Sequence, residues 1–98
     1  MVKINRVNGY NELIIDDNCD YSFFYSTADK LETRFNVAFI NKLDGLDTLY
    51  WIFRYEGALF VLHYNIYLGV SVYPANLEKA TDRENHLLND IANWWQTN

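Results

Sequence analysis

An aromatic-rich stretch at residues 48–74 constrains the fold of this chain more than any other feature. Glu56 and Gly57 divide it into two runs of strand-forming residues, and a two-residue turn there fixes how the two strands pair. Because side chains alternate between the faces of a strand, one face is predicted to be apolar or aromatic throughout and to form the core. The predicted cross-strand pairs on this face are Tyr55 with Ala58, Phe53 with Phe60, Trp51 with Leu62, and Leu49 with Tyr64.

The opposite face of these two strands has an unusual composition for a sheet surface. An antiparallel sheet that meets water on one side normally places polar residues there. This face instead combines aromatic rings, aliphatic residues, a histidine and an arginine. The pattern is compatible with partner binding, with an ordinary half-buried face, and with a homodimer seam. Its predicted residues are Tyr50, Ile52 and Arg54 on the first strand and Leu59, Val61 and His63 on the second.

A third strand is predicted at residues 68–73, after a bend at residues 65–67. Within it, Gly69 is expected to mark a bulge or a close approach by another backbone. Pro74 ends the strand, because proline has no N–H to donate to the sheet.

A β-hairpin is predicted at the start of the chain, where residues 2–7 and 11–15 flank Asn8-Gly9. Asparagine and glycine tolerate the positive φ angles that a type I′ turn requires at both central positions. This turn pairs Val7 with Tyr10 and Ile4 with Leu13.

Two helices are predicted outside the aromatic stretch. Apolar residues recur at helical spacing near residues 20–34, with Asn18 as a candidate cap, although the run at residues 21–25 is also compatible with a strand. Thr81 and Glu84 have the spacing of a capping box, which predicts a second helix that reaches about residue 96.

A short strand at residues 37–42 and a turn at residues 44–47 link the first helix to the aromatic stretch. The resulting order is β-β-α-β-β-β-β-α, which predicts one α+β domain over residues 1–98. An antiparallel sheet of five to six strands is expected, with both helices packed on one face. The other face is left open to solvent or to a partner.

The charge of the chain narrows the choice of partners. Its formal net charge is -5, with only eight Lys and Arg, so nucleic-acid binding is disfavoured and a basic protein partner is favoured.

Cys19 is the single cysteine and cannot form an intramolecular disulfide, which favours the reducing cytoplasm. We expect no signal peptide and no membrane-spanning segment, because no apolar run is long enough.

No constellation in the sequence predicts catalysis, a metal site or a cofactor. His63 and His86 have no further ligand-type residues at zinc-site spacing, and the four glycines do not form a phosphate loop. Ser71 and the other serines lack a recognisable general base. Asp44 and Asp47 are better explained as a solvated turn than as a calcium site. We therefore predict a binding protein and not an enzyme.

Two groups of residues are predicted to bind a partner. Acidic residues near the turns would steer a basic protein towards the chain, and rings with an arginine would anchor it, because Tyr, Trp and Arg dominate interface hot spots. The acidic group is Asp16, Asp17, Asp44 and Asp47, and the anchoring group is Tyr50, Arg54, His63 and Tyr67.

Three segments of the sequence carry a resemblance to a known class of proteins. They are FINKLDGLD at residues 39–47, LYW at residues 49–51 and LHYNIYLGVSV at residues 62–72. Over residues 37–84 the chain resembles small acidic bacterial immunity proteins, which accompany polymorphic or contact-dependent toxins. The resemblance implies a cytoplasmic antitoxin that binds one toxin domain, often a basic nuclease, and blocks it. The alternative is a small homodimeric accessory or ligand-binding domain.

Overall fold

The computed structural model describes residues 2–97 as a six-stranded antiparallel sheet with two α-helices. The strand order is β1-β2-β6-β5-β4-β3, and the order of elements along the chain confirms the predicted α+β fold. The strands are β1 (Lys3–Val7), β2 (Tyr10–Asp16), β3 (Ala38–Asp44), β4 (Thr48–Tyr55), β5 (Ala58–Asn65) and β6 (Gly69–Pro74). The helices are α1 (Tyr21–Phe35) and α2 (Asp82–Thr97), and a short 3-10 turn spans Leu77–Lys79.

Both tight hairpins have the predicted registers. In the first, Val7 pairs with Tyr10 and Ile4 with Leu13. In the second, the pairing runs outward from Tyr55 opposite Ala58, through all the predicted core pairs. The two-residue turns therefore determine which side chains of these four strands share a face.

Strand β2 joins the sheet beside β6, and α1 then carries the chain to the far edge, where β3 pairs with β4. Gly69 makes the junction of β2 and β6 possible. Its φ is +82°, and a Cβ at this position would overlap the Asp16 carbonyl oxygen and lie 2.7 Å from the Asp17 Cα. The predicted close approach of another backbone is confirmed, and that backbone is the end of β2.

The core lies between the sheet and the two helices, which pack on the same sheet face. α1 contributes Phe24, Ala28 and Leu31, and α2 contributes Leu88, Ile91 and Ala92, to one cluster with the apolar face of the sheet. The C-terminal ends of the helices meet through Phe35, whose ring stacks on Trp95 at 6.2 Å and meets Trp94 edge-on at 5.9 Å. Trp94 thus packs against α1.

Both helices begin close to the predicted positions, but the N-cap residue of α1 differs from the predicted one. Asp20, not Asn18, caps α1, since its Oδ1 accepts a hydrogen bond from Phe23 N at 3.0 Å. Asn18 instead closes a turn by donating its N–H to Asp16 Oδ1. Thr81 and Glu84 form the predicted capping box, with hydrogen bonds of 3.1 and 2.7 Å.

The edge strand β3 is longer than predicted and contains a bulge between Phe39 and Asn41. The bulge changes which residues face the helices, so Lys42 lies on the helix side with its Nζ 4.3 Å from the Trp51 ring centre. A bulge and an inward-pointing lysine both discourage pairing with another strand. This edge is therefore poorly suited to sheet extension.

Candidate functional site

A row of rings crosses four neighbouring strands on the open face of the sheet. Tyr10 on β2 lies 6.4 Å from Tyr73 on β6, which lies 6.0 Å from His63 on β5. The His63 ring in turn stacks on Tyr50 of β4 at 4.8 Å. Sequence analysis identified Tyr50 and His63, but Tyr73 could be placed beside them only once the β5–β6 register was known, and Tyr10 only once the β2–β6 pairing was known.

Burial shifts the pKa of two members of this row, Tyr73 and His63. It raises the pKa of Tyr73 to about 12, with smaller contributions from Tyr50, Glu12 and Tyr10. Burial also lowers the pKa of His63, because a charged imidazole loses hydration there. Both groups are therefore neutral near pH 7.

The lowered pKa of His63 predicts a pH-dependent stability. In the unfolded chain, His63 takes up a proton near its ordinary pKa of about 6.5. In the folded chain it is still neutral at that pH. Proton uptake therefore favours the unfolded chain, and the free energy of unfolding falls as the pH drops below that value. We expect His63→Gln to flatten the decline between about pH 7 and about pH 5, measured by urea unfolding. His86→Gln, which alters the exposed histidine of α2, is the control and should keep the wild-type slope. Equal slopes for both variants would contradict the prediction.

Exposed apolar side chains gather at one end of the sheet, on the β3–β4 and β5–β6 turns. Ile66 N donates to Asp47 O at 3.2 Å, which holds the two turns side by side. Tyr21 Oη donates to Leu46 O at 2.8 Å and ties the first turn to α1. Leu46, Tyr67 and Leu68 are 97%, 78% and 65% exposed. We call this group of exposed side chains the turn-end patch. It comprises Leu43, Leu46, Tyr50, Ile66, Tyr67 and Leu68.

The predicted acidic residues all lie at this end of the sheet, but they do not have equivalent roles. Asp16 ends β2 and Asp17 follows it, on one side of the β5–β6 turn, and Asp47 lies on the other side. Asp44 points to the helix side and accepts a hydrogen bond from Trp51 Nε1 at 2.8 Å. The carboxylates of Asp17 and Asp47 are thus better placed to meet a partner than that of Asp44.

The structure separates Arg54 from the other predicted anchors. Arg54 is exposed on the same face of β4 as Tyr50 but near the opposite end of the strand. At a rise of about 3.3 Å per residue, the two side chains are roughly 13 Å apart. Tyr50, His63 and Tyr67 therefore group around the turn end, and Arg54 does not.

A pocket of about 340 Å³ lies between the row of rings and the β5–β6 turn. Its floor contains Ser71, which is only 6% exposed and stands directly opposite His63 on the neighbouring strand. The Ser71 Oγ and His63 Nδ1 are 3.5 Å apart, at the outer limit of a hydrogen bond. The lining residues are Glu12, Ile14, Asp17, His63, Tyr67, Leu68 and Ser71.

The Ser71–His63 pair was not identified from the sequence, because the β5–β6 register was not predicted. A serine nucleophile needs a base that an acidic residue orients. Among the described residues, no carboxylate is hydrogen-bonded to His63. The pair therefore provides polar atoms for binding and lacks the arrangement of a hydrolytic triad.

Two other kinds of site were sought in the described part of the chain. Within residues 2–97, no three His, Cys, Asp or Glu side chains lie close enough together to hold a metal ion. Over the same residues, neither helix has the length and apolar character needed to cross a membrane.

Comparison with known proteins identifies a family. The profile of the family DUF3630, described as a protein of unknown function, matches residues 2–91. No curated protein and no solved structure shows significant similarity to the chain.

Proposed function

Since the chain belongs to the DUF3630 family, whose description assigns no activity, we propose its function from its surface: it is a cytoplasmic immunity protein. In this role it binds a cognate basic toxin domain one to one and blocks it. The observation that carries the proposal is the turn-end patch, an exposed apolar surface with aspartates on both sides.

The turn-end patch has the composition of an interface centre. A soluble monomer rarely exposes a continuous group of large apolar side chains without a function for it. Here six such side chains lie on two adjoining turns and the strand positions next to them, and two of them are tyrosines. Tyrosine contributes a large contact area with few rotatable bonds, which makes it effective as an anchor.

The charges around the patch favour a basic partner. The chain carries a formal net charge of -5, and Asp16, Asp17 and Asp47 lie beside the patch. Such charges increase the rate of association with a basic surface more than they increase final affinity. The resemblance of residues 37–84 to immunity proteins supports a toxin domain as that partner.

Inhibition of this kind requires only that the chain cover a functional surface of the toxin domain. A partner seated on the turn-end patch would have its active site or its substrate-binding surface covered by the sheet end and the start of α1. The chain would contribute no chemical step, so its effect would be stoichiometric. One molecule of the chain would neutralise one toxin domain.

The test begins with the tagged protein and the basic domain that copurifies with it at one-to-one stoichiometry. We expect the double variant Tyr50→Ala and Tyr67→Ala to weaken this complex about 10- to 100-fold, because two ring anchors are lost. Both side chains are exposed, at 42% and 78%, so the fold should persist. Calorimetry measures the affinity, and survival of cells that produce the toxin measures protection.

Arg54→Ala is the matched control, because Arg54 lies on the same face as Tyr50 but at the other end of β4. Binding within about twofold of wild type is expected for this variant. If the double variant binds and protects as well as wild type, the turn-end patch is not the interface. If Arg54→Ala is equally damaging, the interface covers the whole open face.

The row of rings favours a second candidate, a homodimeric accessory domain. Tyr10, Tyr73 and His63, which are half-buried, and Tyr50, which is exposed, form a continuous stripe of rings across the open face, which a second copy could cover. Light scattering on the purified protein distinguishes the two functions. A stable dimer in the absence of any partner would support the accessory domain, and a monomer would support the immunity protein.

A further inference from the structure

The pocket beside the turn-end patch has a definite chemical character. Its volume of about 340 Å³ lies at the low end of the range typical of small-ligand sites, about 300–1,000 Å³. Ile14 and Leu68 provide apolar walls, and Tyr67 provides an exposed ring at the rim. Glu12 and Asp17 provide two carboxylates, and no lysine or arginine lines the pocket.

Within residues 2–97, no basic side chain forms an ion pair with the carboxylates of the pocket. Among the described residues, neither Glu12 nor Asp17 accepts a hydrogen bond or pairs with a cation. Lys3 on β1 stands opposite Ile14, and among the described residues no ion pair joins it to Glu12. The pocket therefore presents negative charge that a bound group can neutralise.

The floor of the pocket adds polar atoms without adding positive charge. Ser71 is buried, and its contact with His63 Nδ1 at 3.5 Å is weak, so its hydroxyl remains able to bond to a ligand. His63 is neutral near pH 7 because burial lowers its pKa, so it does not repel a cation. A buried polar group of this kind costs stability unless a ligand or water bonds to it.

From these features we infer that the pocket holds a basic side chain of the partner, an arginine or a lysine. Its methylene chain would lie against Ile14 and Leu68, and its charged group would meet Glu12 and Asp17. A basic side chain has this combination of an apolar stem and a charged, hydrogen-bonding head. The inference rests on the proposed function, because it assumes a basic partner at this end of the sheet.

The experiment uses the full chain and a single-residue probe, N-acetyl-arginine methylamide. Titration followed by ¹H–¹⁵N NMR is expected to give saturable shifts at residues 12, 14, 17 and 71. The corresponding citrulline derivative has nearly the same shape but no charge, and we expect it to bind at least about tenfold more weakly. Equal affinity for the two probes, or no saturable shift with arginine, would overturn the inference.

Two variants locate the charge recognition. Glu12→Gln and Asp17→Asn should each weaken arginine binding about three- to tenfold, because each removes one carboxylate from the pocket. Asp47→Asn is the control, since Asp47 is an exposed aspartate of the same sheet end that does not line the pocket. An equal loss with Asp47→Asn would show diffuse electrostatic attraction and would overturn the assigned pocket.

The outcomes separate this inference from the proposed function. The arginine titration contains no toxin, so it can succeed even if no toxin partner exists. Tyr50→Ala alone tests the turn-end patch at a residue that is not part of the pocket lining. Saturable arginine binding together with wild-type toxin binding by Tyr50→Ala would retain the pocket and reject the patch as the interface. Loss of toxin binding by Tyr50→Ala without any arginine binding would retain the patch and reject the pocket.

Discussion

Gly69→Ala is expected to lower the free energy of unfolding by about 3 kcal/mol or more, through two separate effects. The φ of +82° at this position is one that side-chain-bearing residues rarely adopt. In addition, the new Cβ would collide with the backbone of Asp16 and Asp17, which cannot move without separating β2 from β6. Urea unfolding followed by circular dichroism measures the loss.

Gly57→Ala is the matched control for this prediction. Gly57 has nearly the same φ, +80°, but no atom lies within 4 Å of the position that its Cβ would take. This variant should therefore show the backbone strain alone, about 1 kcal/mol. The difference between the two variants then measures the collision with β2. Equal losses would mean that β2 does not pass this close to Gly69.

The Gly69→Ala variant would also affect the pocket. Asp17 lines the pocket, and the backbone on which it stands is the one that Gly69 accommodates. Any shift of β2 would move Asp17 and Ile14 relative to Ser71. The glycine thus sets the width of the pocket as well as the register of the strands.

The sequence predicts local pairing well because tight turns are chemically distinctive. Asn8-Gly9 and Glu56-Gly57 each allow only a two-residue connection, and every cross-strand pair follows by counting outward. The capping box at Thr81 is equally local. These features depend on residues close together in the chain, so a single sequence is sufficient to predict them.

The order of the strands could not be predicted in this way. Neither β2 nor β6 contains a residue type that identifies the other as its neighbour, and α1 carries the chain from β2 to the far edge at β3 without a recognisable motif. As a result, Tyr10 could not be placed beside Tyr73. The β5–β6 register was not predicted either, so neither Tyr73 nor Ser71 could be placed against His63. The pocket depends on this long-range pairing and was missed for the same reason.

The candidate site was predicted in part, because residue type indicates surface chemistry but not position. Tyr50, His63 and Tyr67 do come together at the turn end. Arg54 was grouped with them by residue type, although its distance along β4 could be read from the strand rise. Asp44 is exposed, as expected, but the β3 bulge places it on the helix side, where its carboxylate accepts a hydrogen bond from Trp51 Nε1.

Phe24 is the main contact between α1 and the sheet. Its side chain is fully buried, and its ring meets those of Trp51 and Tyr64 at 5.0 and 6.1 Å. The helical periodicity places it on the same face as Ala28 and Leu31. A strand over residues 21–25 would not have aligned these three side chains, so the helix is the conformation that buries them together.

We expect Phe24→Ala to lower the free energy of unfolding by about 3–5 kcal/mol, because the loss of a buried ring leaves a cavity that rigid neighbours cannot fill. Tyr25→Ala is the control: Tyr25 is the next residue, is 48% exposed, and touches Trp51 edge-on at 5.6 Å. Its replacement should cost about 1 kcal/mol. Urea unfolding of both variants at pH 7 provides the comparison.

A cost for Tyr25→Ala that equals or exceeds that of Phe24→Ala would mean that the other face of α1 packs on the sheet. Tyr21, which holds the Leu46 turn from the same helix, would then be misplaced as well.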